Sequence, residues 1–325
     1  MSGMVDTRLL ANLEYNLGPV VMAALHDPLV IEIILNSDGR LWIERLGEKL
    51  SEAGAMASEQ GRLIVSLVAS ALETTVTSEN PIVEGELPLD GSRFEGVLPP
   101  VCTSPVFAIR KRASQVFDLG AYVRSGIMPA SLIPVFREAL AARKNLLVVG
   151  GTGTGKTTFV NALIRELSGL CPDDRLVILE DTRELQSLSA NTQFFRTSDT
   201  VDMTRLLRMT MRVRPDRILI GEVRDGAALA LLKSWNTGHP GGVATIHANG
   251  AEDGLYRLEE LVAEATSAPK NRLISQAIDL VVHIERASGN AGRRITEVMQ
   301  VTGYNARDQR YATKQVYLYN KREAA

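Results

Sequence analysis

The sequence predicts an α/β chain in two parts. A smaller N-terminal α+β domain spans residues 1–112, a linker spans 113–130, and a doubly wound α/β domain spans 131–325. Three observations predict this. An apolar run, Leu146–Val149, gives way to a glycine-rich loop and then to helical spacing, the unit from which parallel sheets are built. Beyond residue 170, short apolar runs alternate with helical patterns. Before residue 112, by contrast, short strand-like pieces follow one another with turn chemistry between them.

Residues 4–25 set Val5, Leu9, Leu13, Leu17, Val21 and Leu25 at close to helical spacing, with an interruption expected at Gly18-Pro19. The polar face has too few Lys and Arg for a helix lying on a membrane, so its apolar face is read as core. Residues 30–35 and 41–46 read as a hairpin around Asn36-Ser-Asp-Gly39, and residues 58–73 return to helical spacing. Strand-like pieces follow at 82–87, 93–98 and 106–112, separated by Pro88-Leu-Asp-Gly91 and Pro99-Pro100. Antiparallel strands with helices on one face are expected here. Gln115, Asp118, Gly120, Ser125, Gly126 and Pro129 punctuate the expected linker.

The second part opens with a helix at 131–143 that leads into the apolar run and the glycine-rich loop. Strands are expected at 175–181, 192–197, 215–222 and 242–246, and helices at 201–213, 225–237, 252–265 and 270–279. The last strands, at 280–285, 293–301 and 311–319, read as an antiparallel extension of the sheet.

Net charge is −2 and only 5% of residues are aromatic, which argues against a nucleic-acid surface built on a basic field or on base stacking. Direct DNA binding is therefore not expected. Cys102 and Cys171 lack metal-type spacing and point to a reducing compartment. Asp6, Arg8 and Glu14 interrupt the N-terminal apolar residues, unlike a signal peptide, and no apolar run approaches a membrane span. A soluble cytoplasmic protein is expected, with membrane contact peripheral or through partners.

Gly150-x4-Gly155-Lys156-Thr157 matches the phosphate-binding P-loop pattern in full, between a strand and a helix as the mechanism requires. Glycines let the backbone approach an anion, and successive N–H groups form a nest at the positive end of a helix dipole. The candidate nucleotide-binding residues are Gly150, Gly151, Thr152, Gly153, Thr154, Gly155, Lys156, Thr157 and Thr158. Lys156 would reach the β- and γ-phosphates, and the Thr157 hydroxyl would face Mg²⁺.

In an open α/β sheet, ligands gather at the carboxyl ends of the strands. Four expected strands end in polar groups: the P-loop, Glu180-Asp181, Glu222 and His247. If those strands are parallel, the four clusters share one edge, which favours an NTPase over a passive binder. A carboxylate at Glu222 can orient an attacking water or hold Mg²⁺ through its waters, and Glu180 or Asp181 can do either. His247 can donate a hydrogen bond to phosphate and so sense the nucleotide, whereas His239 reads as a turn residue. Arg205, Arg208, Arg212 and Arg214 lie on or just after one helix. Arg93, Arg110 and Arg112 lie near the end of the first domain. Any of them could stabilise charge on a phosphoryl group, although a single arginine is more often a surface charge.

Four motifs in order resemble the traffic ATPases of bacterial type IV secretion and conjugation, within the secretion ATPase superfamily that also serves type II secretion and type IV pili. They are residues 150–158 (Walker A) and Ile178-Leu-Glu-Asp-Thr-Arg-Glu184 (the acidic Asp box), then residues 211–224 (an atypical Walker B ending in Gly221-Glu222), then Gly238-His-Pro-Gly-Gly-Val-Ala-Thr-Ile-His-Ala-Asn249 (the His box). The likeness extends to Asp90-Gly-Ser-Arg93-Phe and Ala108-Ile-Arg110-Lys, and so covers nearly the whole chain.

The resemblance implies a RecA-like P-loop domain and a homo-hexameric ring that hydrolyses ATP with Mg²⁺. It implies phosphate and metal roles for Lys156 and Thr157, water activation by Glu222 and metal or water support by Glu180. It further implies coupling of γ-phosphate to domain movement by His247, and approach of Arg93 and Arg110 to phosphate from the N-terminal domain. The catalytic set is thus Lys156, Glu180, Glu222, His247, Arg93 and Arg110, and the metal set Thr157, Glu180 and Glu222. The implied partners are inner-membrane subunits of a conjugation or type IV secretion apparatus, with the protein peripheral to the inner membrane. The four-cysteine module of many type II and pilus-extension ATPases is absent, since the chain has two cysteines. A pilus-retraction or type II secretion ATPase, a nucleic-acid translocase and a non-hydrolysing nucleotide-gated scaffold are the alternative readings.

Overall fold

The computed structural model describes residues 7–45, 48–112, 116–198, 200–287 and 291–320. The chain divides into two compact units, Met1–Gln115 and Val116–Ala325.

In the first unit, α1 (Thr7–His26) is broken at Gly18, whose φ of 72° no helix can hold, just before Pro19. Next come β1 (Val30–Leu35), β2 (Arg40–Arg45), β3 (Ser51–Ala55), α2 (Ser58–Ala71), β4 (Ile82–Glu86), β5 (Arg93–Val97) and β6 (Val106–Arg110). They form one antiparallel sheet in the order β3-β2-β1-β6-β5-β4. Alternate residues Ile33, Ile43, Phe94, Phe107 and Ile109 turn to one face and pack with Leu13, Leu17, Ile64 and Val68 of the two helices. Each such fully buried side chain contributes roughly 1.5–3 kcal/mol. β3 has no counterpart in the sequence reading. Its Ser-Glu-Ala-Gly-Ala run lacks apolar alternation because it is an exposed edge strand, held by backbone pairing to β2.

In the second unit, α3 (Leu119–Arg124) falls inside the segment expected as linker. Asp118 caps it by accepting from Ala121 N at 2.6 Å, and Leu119 and Tyr122 enter the core, Tyr122 edge-on to Phe159. Residues 113–115 of that segment lie outside the described residues. The unit continues through α4 (Leu132–Ala141), β7 (Leu146–Val149), α5 (Lys156–Leu170), β8 (Leu176–Glu180), β9 (Thr192–Arg196), α6 (Met203–Thr210), β10 (Arg217–Ile220) and α7 (Ala227–Asn236). It ends with β11 (Val243–Ile246), α8 (Ala251–Ala265), α9 (Asn271–Ala277), β12 (Leu280–Arg286), β13 (Arg293–Asn305) and β14 (Arg310–Leu318).

The strand order is β14-β13-β12-β7-β11-β10-β8-β9, and neighbours from β12 to β9 are parallel. Both faces are covered. Leu147, Val149, Val177 and Ile220 pack under α6 to α9, and Leu146, Val148, Ile178 and Leu219 under α3 to α5. β7, β8, β10 and β11 are therefore buried at every position, as expected of parallel strands with helices on both sides.

One expectation is corrected. β12, read as part of an antiparallel extension, runs parallel to β7, with Leu280 level with Leu146 and His283 level with Val149. Its apolar run of Leu280, Val281, Val282 and Ile284 is that of a strand buried on both faces. Only β13 and β14 extend the sheet in antiparallel fashion.

Candidate active site

Parallel pairing decides where the polar strand ends fall. Val149 is level with Ile246, and Ile220 with Leu179. Gly150, His247, Glu222 and Glu180 thus emerge along one edge, in the order of β7, β11, β10 and β8.

The P-loop leaves β7 under tight constraint, since a Cβ at Gly150 would collide with the Ile284 carbonyl of β12. At its far end Gly155 takes φ 93° as the residue before α5, a left-handed turn that favours glycine. Between them the Thr154 hydroxyl donates to the Gly151 carbonyl at 2.9 Å and braces the loop. Lys156 is buried at 7% exposure, which a charged side chain tolerates only when its donors are used. Its Nζ donates to the carbonyls of Gly150 (2.9 Å) and Gly151 (3.0 Å) and lies 3.0 Å from His247 Nδ1. An ammonium has no lone pair, so His247 Nδ1 is the acceptor and its Nε2 is left to carry the proton. That Nε2 faces Glu222 Oε1 at 2.5 Å. Lys156, His247 and Glu222 thus stand side by side, but only the Lys156–His247 step is an aligned hydrogen bond; Glu222 Oε1 is close to His247 and accepts no hydrogen bond among the described residues.

Glu222 Oε2 is held from the other side by Arg224, through Nε at 2.6 Å and Nη2 at 2.5 Å. Arg224 Nη1 also lies 3.8 Å from Asp181 Oδ2, and Asp181 accepts from the Thr197 hydroxyl at 2.9 Å. The sequence reading assigned Arg224 no part. Its signal was its place two residues after Glu222, which in extended chain turns both side chains the same way.

Glu180 is only 3% exposed. Burial pushes its carboxyl up to about 7, against two backbone donors, Glu184 N (2.9 Å) and Leu185 N (2.8 Å), that favour the charged form at Oε1. It therefore holds or releases a proton near neutrality. Thr157, Glu180 and Glu222 present a hydroxyl and two carboxylates, hard oxygen donors of the kind that suit Mg²⁺.

Other predicted residues fall elsewhere. His239 Nδ1 lies 2.9 Å from the Pro215 carbonyl and shapes the approach to β11. Arg205, Arg208, Arg212 and Arg214 are exposed, and Arg205 reaches the Thr200 carbonyl. Arg93 and Arg110 belong to the first unit. They are cross-strand partners on β5 and β6, on the sheet face opposite the helices, between Glu86 of β4 and Glu32 of β1. Two guanidiniums directly opposite one another repel, and the flanking carboxylates Glu86 and Glu32 offset that repulsion.

A charge that the sequence reading left without a role is Arg217, which is fully buried. Its Nε meets Asp174 Oδ2 at 2.5 Å, and its Nη1 donates to the carbonyls of Leu140 (2.9 Å) and Gly241 (3.2 Å). It ties α4, β10 and the start of the His box together at the opposite end of the strands from the catalytic edge.

Residues 16–321 match the family described as type II/IV secretion system protein. The chain is 53% identical over 294 residues to the "Probable conjugal transfer protein TrbB" of Sinorhizobium fredii, covering 90% of each. It is 32% identical to the type IV secretion system protein PtlH of Bordetella pertussis, over 84% of this chain and 91% of that one. Among solved structures, the pilus retraction motor PilT with bound ADP shares the fold. It matches with a TM-score of 0.63 at 19% identity, covering 88% of this chain and 83% of that one. The Legionella pneumophila ATPase DotB matches with a TM-score of 0.58 at 18% identity, covering 97% and 80%. With its P-loop, its acidic strand ends and a family match over nearly its whole length, the chain belongs to the type II/IV secretion system protein family and is one of its ATPases.

Proposed function

We propose that this chain is the motor of a conjugative DNA-transfer or type IV secretion apparatus, hydrolysing ATP in a homo-hexameric ring. The observation that carries the reading is the convergence of Lys156, His247 and Glu222 at the carboxyl edge of the parallel strands. The relatives named for conjugal transfer and type IV secretion supply the setting.

The chemistry follows from the geometry. Lys156 satisfies its charge on the Gly150 and Gly151 carbonyls and on His247. Arriving β- and γ-phosphates offer it stronger, charged acceptors, so Lys156 turns to them. His247 then loses one of its two partners and is freed to donate to the γ-phosphate. Glu222, relieved of His247, accepts from and orients the attacking water. The Thr157 hydroxyl, with the Glu180 and Glu222 carboxylates, would hold Mg²⁺, which would supply positive charge to offset that of the phosphates. Loss of γ-phosphate returns His247 to Lys156, so the two arrangements differ in contacts, as a ligand-driven movement requires. The resemblance alone proposes Arg93 and Arg110 as guanidinium donors to phosphate, in their own chain or in a neighbouring copy of the ring.

No helix among the described residues is long and apolar enough to cross a membrane. The apparatus is reached through inner-membrane subunits, with the ring peripheral on the cytoplasmic side. Lys156→Ala tests the motor reading. ATP turnover and plasmid transfer should both be abolished while the thermal melting transition persists. Transfer at the wild-type level by this variant would defeat it.

A further inference from the structure

The P-loop has a second flank. β7 lies between β11, which brings His247, and β12. β12 outruns β7: His283 is level with Val149, where β7 ends, so Ile284, Glu285 and Arg286 run on alongside the phosphate loop. Arg286 is the in-register partner of Arg293, which opens β13, so both side chains turn to the same face. Arg286 Nη2 stands 2.5 Å from the point a Cβ would occupy on Gly153. Arg293 Nη1 stands 2.8 Å, and its Cδ 3.0 Å, from the corresponding point on Gly155. Both guanidinium side chains are thus laid against the anion-binding loop. The next residue, Arg294, points to the opposite face and stacks over Tyr319 at 4.1 Å.

Like charges directly opposite in a sheet are destabilising. Here the two lie beside a backbone nest that itself favours anions. Both features make this flank of the loop favourable to an anionic ligand. Strand order says which part of a nucleotide it is. Lys156, His247, Glu222 and Glu180 gather at the loop and on the β11, β10 and β8 side, so the γ-phosphate belongs there. The β12 flank faces away from that reaction, where the rest of the nucleotide must leave the loop.

We propose that Arg286 and Arg293 grip the α-phosphate and ribose end of the bound nucleotide, the part that hydrolysis leaves unchanged. This rests on the nucleotide-site reading above. Contacts made equally to substrate and product add uniform binding. They raise the affinity for ATP and ADP together and leave the chemical step alone.

The test is calorimetric titration of the full chain with ADP and with the non-hydrolysable β,γ-imido analogue of ATP. Arg286→Gln and Arg293→Gln should each weaken both ligands by a similar factor, roughly tenfold or more for a lost charge-assisted hydrogen bond. The kcat at saturating ATP should stay within about twofold, the scatter of a contact with no transition-state role. Arg286→Lys, which keeps the charge, should recover part of the loss, and Arg286 is exposed enough for its substitution to leave the melting temperature unmoved. Unchanged affinity for both ligands overturns the inference. So does a loss confined to the ATP analogue, which would place the arginines at the γ-phosphate. If the wild-type chain bound neither ligand, the nucleotide-site reading would fall with it. Tight wild-type binding with indifferent variants removes only the arginine grip.

Discussion

The two flanks of the phosphate loop carry opposite chemistry. On the β11 side stand a histidine and carboxylates, and on the β12 side two arginines opposite one another. The first flank can move protons and orient water; the second can only hold an anion. A secretion ATPase needs both, because binding that persists through the cycle must be separated from contacts that change when γ-phosphate leaves. The sheet achieves the separation by placing β7 between the strands that supply each set.

The sharpest way to break the contrast is on the reactive flank. Glu222→Gln keeps the shape and the hydrogen-bonding reach of the side chain but removes its basicity. The kcat should fall by about 10²–10⁴, the usual contribution of a positioned base, while the Kd for ADP changes little. A large loss of ADP affinity in this variant would show that Glu222 holds the product as well, and the two flanks would no longer divide the work.

A second comparison runs along the strands rather than across them. The catalytic edge mixes buried groups, Lys156 and Glu180, with the half-buried Glu222 and the exposed His247, whereas the opposite end is fastened by the buried Arg217–Asp174 pair. Arg217→Met leaves Asp174 without its buried partner and strips donors from the Leu140 and Gly241 carbonyls. Breaking such a pair costs on the order of 3–5 kcal/mol, and Arg143, which also meets Asp174, offsets part of it. Chemical denaturation should report a stability loss near the lower figure. The fraction that stays folded should bind ADP as the wild type does, because Arg217 lies far along the strands from the P-loop.

How far the sequence could be read follows from the same physics. The P-loop and the acidic strand ends were legible because each is a local pattern: an apolar run, then a turn, then the group that does chemistry. Their convergence needed only parallel strands, which apolar runs alternating with helices already implied. β3 was not legible, since an exposed edge strand held by backbone bonds needs no apolar alternation. The direction of β12 was not legible either. It is set by pairing with β7, about 130 residues earlier in the chain, and both directions bury the same apolar run. Arg286 and Arg293 went unread for the same reason, because only that register brings them to the loop. Arg93 and Arg110 stand at the other extreme. The sequence offered them among several candidate arginines, the resemblance singled them out, and the structure adds that they are cross-strand partners on one face.

The smallest expected effect is the one most easily tuned by pH. Burial raises the Glu180 carboxyl in the folded chain to about 7, from an ordinary value of 4.5. The folded state therefore favours the protonated acid. Its stability relative to a neutral side chain is fully present below about 4.5 and declines as pH rises, levelling off above about 7. A shift of this size corresponds to an upper bound of roughly 3 kcal/mol. Glu180→Gln is uncharged at every pH and keeps the oxygen that accepts from Glu184 and Leu185. Denaturation midpoints of the two proteins should diverge across this window, with the variant gaining on the wild type as pH increases. Activity should move the other way. If Glu180 supports the metal as a carboxylate, wild-type kcat/KM rises with pH through about 7, and the variant's profile is low and flat there. A variant that kept the wild-type rise would assign that ionisation to another group and leave Glu180 as a brace for the 184–185 turn.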